Sequence, residues 1–223
     1  MADLRFKTIG KEAAQKLLET YVSNFENHGW PLYDQDPTPS TLVGVDLTSP
    51  ALLSYPIKSK YLNEMGRQTR EGEEPNGCNV LLQAMTAFVN TASSEVFWEV
   101  PNSVISSQAT RDSGMEVSGP QSFARLIACF DAAESCKGIR SVAVTKILHR
   151  KRPNLVPIND SRVRKFYGVK NSYAPLFAAI HRDLQDRETM KMLSDLAAPY
   201  TGLDGRPMSV LRALDIVIWM HMA

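Results

Sequence analysis

Apolar side chains recur every three to four positions through most of this chain, and that spacing commits it to helices. Between Lys11 and Phe25 they fall at Ala14, Leu17, Leu18, Tyr21, Val22 and Phe25. The same period predicts helices over Val80 to Thr91, Ser141 to His149, Tyr173 to Leu184, Thr189 to Ala197 and Ser209 to His221. Ser118-Gly-Pro-Gln121 has capping-box spacing with a proline in the first turn, a start signal for a helix that runs to about Glu134. The final stretch, SVLRALDIVIWMH, is apolar enough for a core helix. A Pro- and Asp-rich loop covers Trp30 to Pro39, a short apolar element lies around Leu47 to Leu53, and REGEEPNG (Arg70 to Gly77) is a polar, exposed connection. Glu95 to Ile105 (EVFWEVPNSVI) reads either as a short strand or as an irregular aromatic segment. The expectation is one mainly helical, all-α domain over residues 1–223, with a small extended segment around 95–105 as the open alternative.

With 223 residues the chain can bury a substantial core. No apolar run approaches the roughly 18 residues of a membrane helix, and Met1 to Phe25 lacks the apolar block of a secretory signal. Cys78, Cys129 and Cys136 suggest neither a disulfide framework nor a ligand cluster. Cys129 and Cys136, seven apart on a helical pattern, read as buried thiols. A monomer in a reducing cytoplasm, with no membrane contact, no metal and no cofactor, is expected.

Charge is distributed unevenly. Lys137 to Lys170 holds ten Lys and Arg against a single acid, Asp160, so the segment is +9 while the whole chain is +1. Helices on either side of Cys136-Lys-Gly-Ile-Arg140 make this a tight hairpin, whose second helix would offer N–H groups and a positive dipole end to a phosphate. Lys137, Arg140 and Lys146 would add attraction to a polyanion. A plain helical hairpin with a solvated basic surface is the simpler alternative. The ten residues from Arg150 to Asn159 can span about 35 Å, enough to run back along the second helix and return Asp160 to the hairpin. Asp160 then caps a short helix, Ser161 to Tyr167, that Gly168 closes. A cap needs no basic surroundings, and a capped carboxylate is held in one orientation.

These residues resemble the helix-hairpin-helix DNA glycosylases of base-excision repair. Gly138-Ile139 is similar to the first hairpin Gly and its apolar neighbour, Ala143 to the Ala that packs the second helix, and Pro157-Ile-Asn-Asp160-Ser-Arg-Val163-Arg-Lys165 to the aspartate segment of the adenine-mismatch members. The resemblance covers about 45 residues, Phe123 to Gly168. The second hairpin Gly is absent, and Arg140 stands in its place. Ser141 occupies the position where lyase-type members carry a nucleophilic Lys, and the four-Cys iron–sulfur loop of some members has no counterpart.

The resemblance implies a double-stranded DNA partner and a nucleotide flipped out of the duplex. Asp160 would offset the oxocarbenium charge of the sugar or orient water, with Ser141 beside it. Lys137, Gly138, Ile139, Arg140, Lys146, Arg150, Lys151, Arg152, Arg162, Arg164 and Lys165 would hold the DNA. His149 fits either a phosphate contact or a plain surface position. The expected product is an abasic site in an intact strand. Lys146, five residues beyond Ser141, would point about 140° away around the helix and would serve a phosphate or the surface rather than the sugar. The substrate would be a damaged base or a hypermodified base of phage DNA, the latter a defence role. A binding module of the same fold without chemistry is the alternative. Candidate base-pocket residues are Trp98, Phe97 and Gln108. Arg212 and Asp215 read as a helix-surface pair.

Overall fold

The computed structural model describes residues 4–24, 30–68, 70–91, 95–109, 121–170 and 172–223, with the backbone alone for residues 30, 31 and 106–109. It is mainly helical: α1 (Lys11–Ser23), α2 (Trp30–Asp34), α3 (Gly44–Thr48), α4 (Ser59–Gly66), α5 (Gly77–Asn90), α6 (Asn102–Ala109), α7 (Gln121–Ser135), α8 (Ser141–Lys151), α9 (Ser161–Tyr167), α10 (Tyr173–Gln185), α11 (Arg187–Ala197) and α12 (Val210–His221). Short 3-10 turns at Phe6–Ile9, Ser49–Leu53 and Phe97–Glu99 complete it. The only β-pairing among the described residues is an isolated bridge between Thr201 and Pro207. Among those residues no helix is long and apolar enough to cross a membrane.

Several helix starts follow from their first residues. The Asn76 side chain accepts from the N–H groups of Cys78 and Asn79, Asp186 from Thr189, and Ser209 from Arg212. Each satisfies a donor that the first helical turn leaves open. The proposed capping box at 118–121 lies largely outside the described residues. The segment 95–105 is not extended. Phe97 is fully buried edge-on against Phe177 and His181, which curls the chain into a 3-10 turn before α6.

The helices bury one continuous core in which α5 packs along α7 and α12 packs against α1 and α11. Helix α8 runs through the middle, and every residue from Ala143 to Lys151 on it is buried. A helix that is covered all round belongs to the interior. This one carries four basic or titratable side chains, Lys146, His149, Arg150 and Lys151, into the core with it.

The hairpin between α7 and α8 has the expected limits. Gly138 sits at φ 102, and a Cβ there would overlap the Tyr61 ring, so both conformation and space require glycine. Cys136, at the start of this hairpin, is disulfide-bonded to Cys78 in the first turn of α5. The expectation of three unpaired cysteines is therefore wrong for two of them, because 58 residues of separation hid their juxtaposition. Their pairing also removes the argument for a reducing compartment. Cys129 remains a free, buried thiol, its pKa pushed up to about 12 by burial and by the charge of Asp131.

Candidate functional site

Asp160 is the N-cap of α9, and its Oδ1 accepts the Arg162 N–H at 2.9 Å. Gly168, left-handed at φ 66, closes the helix eight residues on. The return from α8 is pinned by Asn159, whose N–H donates to Thr145 Oγ1 (3.0 Å) and whose Nδ2 donates to Ser141 Oγ (2.9 Å). Ser141 and Thr145 are one turn apart on α8, so both bonds fix the same strip of chain. Asp160 is carried back beside α8, as the length argument required.

Its neighbour there is Lys146. The Lys146 ammonium donates to Asp160 Oδ2 at 3.1 Å and to the Leu53 carbonyl at 2.9 Å, and it lies 5.6 Å from the Tyr55 ring centroid. The expectation that Lys146 faces a phosphate or the surface is wrong. Its side chain is 3% exposed, and the helical angle that separates it from Ser141 turns it toward Asp160. Ser141 does not touch Asp160, and its hydroxyl is occupied by Asn159.

Behind this pair lies a second one. Arg212 binds Asp215 Oδ2 at 2.6 Å and Asp34 at 3.1 Å, with its guanidinium beside Tyr21 and Tyr33. The surface reading of Arg212 and Asp215 fails, since both are more than nine-tenths buried. Their spacing of three residues on α12 was legible. Their burial was not, because it depends on α2 reaching across with Asp34. Burial raises the Asp215 carboxyl to about 6, with Asp160 pushing the same way and Arg212 and Lys146 opposing. Burial would lower the Arg212 pKa, but Asp34, Tyr21 and Asp215 hold it well above its ordinary value.

Lys146, Asp160, Arg212 and Asp215 line one cavity of about 60 Å³ together with Tyr21, Leu53, Ile158 and Trp219. A larger cavity of about 560 Å³ opens next to it, lined by Tyr55, Phe130, Glu134, Arg140, Ser141, Arg164 and Tyr173. Tyr55 links the two, since its ring lines the large cavity and lies near Lys146 Nζ. Among the described residues no group of three or more His, Cys, Asp or Glu could hold a metal ion.

The remaining candidates divide sharply. Arg150 is paired with Asp46 and donates to the Tyr33 and Gln35 carbonyls. Lys151 is fully buried between Asp36 (2.9 Å) and Asp46 (2.7 Å). His149 is buried, donates Nδ1–H to the Val156 carbonyl at 2.7 Å and stacks on Tyr33. Arg152 binds the Pro39 and Val89 carbonyls. None of these four is a free phosphate ligand, because α8 is an interior helix. Ile139 is likewise core. Arg162 lies 4.0 Å over the Trp219 ring, and Arg164 holds Asn159 Oδ1 at 2.7 Å. Lys137, Gly138, Arg140 and Lys165 are exposed. Of the base-pocket candidates, Phe97 is core and Trp98 is half-buried with its carbonyl held by Gln185. Neither lines the Asp160 cavity, and the Gln108 side chain lies outside the described residues.

Fold and site together define a mainly helical protein whose central helix carries a cation–carboxylate cavity. The chain belongs to a family of unknown function, DUF6308, whose model matches residues 89–222. That region contributes Lys146, Asp160, Arg212 and Asp215, while Tyr21 and the Leu52 to Ser54 wall lie before it. No curated protein and no solved structure matches the chain.

Proposed function

We propose that this protein is a DNA N-glycosylase that hydrolyses the bond between an altered base and its sugar, leaving an abasic site. The setting of Asp160 carries the reading. One of its oxygens is fixed by a backbone N–H and the other by Lys146, and the carboxylate stands on the wall of a cavity. As a glycosidic bond breaks, C1′ gains positive charge, and an anion that is already oriented stabilises that charge without reorganising. The adjoining cavity of about 560 Å³ falls in the size range of small-molecule sites and offers aromatic faces and two arginines to a base and its phosphates. Exposed Lys137, Arg140, Lys165 and Lys170 supply cations around the hairpin for a duplex.

Water is the nucleophile in this reading. An amine attacks a sugar only through a free lone pair. The Lys146 nitrogen is engaged as a donor to both the Leu53 carbonyl and Asp160. Ser141 cannot form an imine. The strand therefore stays intact. The test is incubation with duplexes carrying damaged, mismatched or hypermodified bases, followed by hot alkali to cut at abasic sites, with borohydride added in parallel. Alkali-dependent cleavage without a trapped adduct is expected. A covalent adduct at Lys146 would replace water with the amine, and no abasic sites from any substrate would favour a binding module without chemistry.

A further inference from the structure

Asp215 is the one acid of the small cavity that the reading above leaves without work. Its Oδ2 is taken by Arg212, but its Oδ1 is buried with no hydrogen-bond partner among the described residues. An unpaired carboxylate oxygen in a protein interior is costly and calls for a partner. The cavity that Asp215 lines, at about 60 Å³, has room for roughly two waters. Asp160 lines the same cavity.

We propose that Asp215 is the general base that takes the proton of the attacking water, so that the site works with two carboxylates, Asp160 facing the sugar and Asp215 facing the water. The proposal rests on the glycosylase reading. In the step, the water oxygen bonds to C1′ while the C1′–N bond breaks and its electron pair leaves with the base. The water proton passes to Asp215 Oδ1. The departed base takes a proton from solvent and Asp215 returns its own, so the net change is the addition of water across the glycosidic bond.

The charges around Asp215 suit that role. Arg212 faces it from its own helix, Asp160 from the start of α9 and Lys146 from α8, while Asp34 and Tyr21 reach it through Arg212. Burial and Asp160 raise its pKa to about 6, and Arg212 and Lys146 oppose them. A general base must be ionised, so excision should rise with pH up to about 6 and then level.

The experiment is the pH dependence of single-turnover excision in the wild type, Asp215→Asn, Asp215→Glu and Asp160→Asn. Asp215→Asn should lower the plateau by about 10²- to 10⁴-fold and abolish the acidic limb. Asp215→Glu should restore a limb. Asp160→Asn should be slow yet keep its limb, displaced to lower pH because the neighbouring negative charge is gone. Arg212 retains Asp34 in Asp215→Asn, which favours folding. If that variant does not fold, carboxyl ¹³C titration of the free wild-type protein decides, since a buried aspartate titrating near 6 is expected and its absence overturns the proposal. A limb unchanged in Asp215→Asn overturns the proposal and leaves the glycosylase reading standing. No excision from any substrate removes both.

Discussion

Helix α8 presents two sets of buried cations about one turn apart, and they end in opposite circumstances. Arg150 and Lys151 meet Asp36, Asp46 and the carbonyls of Tyr33, Gln35 and Thr38, and the Lys151 group is sealed, with both of its carboxylates fully buried. Lys146 meets Asp160, whose side chain stays 14% exposed on the wall of a cavity. Asp36 Oδ2 also lacks a partner, so an orphan oxygen alone does not mark a site. Arg150 borders a cavity of about 30 Å³, but Lys151 and its carboxylates border none of the cavities described, whereas Lys146 and Asp160 both line the cavity of about 60 Å³. A sealed ion pair can only hold the fold together, whereas an ion pair beside a cavity can still meet a ligand.

Removing one charged group from each cluster should break this comparison or sharpen it. The largest effect is expected for Lys151→Met, which leaves Asp36 as a buried charge without its partner and should cost about 3–5 kcal/mol, read as a fall in the urea midpoint. A near-wild-type midpoint would mean that the cluster is not sealed. Asp160→Asn should cost less stability than Lys151→Met, since Asn still caps the helix and its amide oxygen can accept from Lys146, which also keeps the Leu53 carbonyl, yet it should reduce excision by about 10²- to 10³-fold with duplex binding retained. Equal losses of stability in the two variants would erase the distinction between the clusters.

Next comes His149, whose pKa burial lowers to about 3, with Arg212 and Arg206 adding to the shift and the Val156 carbonyl opposing it. Its folded-state pKa lies below its unfolded value of about 6.5. The stability tied to its neutral form is therefore complete above that value and lost as pH falls toward 3, by about 1.4 kcal/mol per unit. Because the Asp215 carboxyl, raised to about 6, acts in the opposite sense over the same range, the slope should appear as the difference between urea melts of the wild type and of His149→Gln from pH 7 to pH 4, and an imidazole resonance of His149 that titrates near 6.5 in the folded protein would refute it. The smallest effect belongs to the surface: Lys137→Ala and Arg140→Ala should each flatten the salt dependence of duplex binding by about 0.9 in log–log slope per lost phosphate contact. An unchanged slope in both would move the phosphates elsewhere.

The limits of the longer helices, the hairpin and the return of Asp160 were legible because each rests on local signals: apolar period, Gly138, the Asp160 cap and the reach of ten residues, whereas Trp30–Asp34, expected within a loop, is α2, and α4 and α6 are helices too short for the period to show. The fate of α8 was not. Its apolar residues suggest one covered face, and the carboxylates that allow its basic face to be covered too, Asp36 in a loop and Asp46 in the one-turn helix α3, sit about a hundred positions earlier in segments too short to show a period. Counting charge in one segment therefore overstated the exposed positive surface. For the site, Asp160 could be singled out from its isolation among cations. Arg212 and Asp215 could not be, since a pair three apart on a helix looks the same on a surface as in a core. Asn159, which pins the return to Ser141 and Thr145, gave no signal beyond standing next to Asp160.

The bond between Cys78 and Cys136 matters most when the protein is not folded. It closes a loop across 58 positions, and such a cross-link removes about 4 kcal/mol of chain freedom from the denatured ensemble in the loop-closure picture. The glycine hairpin begins at Cys136, on the tether itself. The turn that starts α8 and the first turn of α5 thus remain neighbours even in a denatured chain, and the search for the pairing of α5 with α7 begins with its ends already joined.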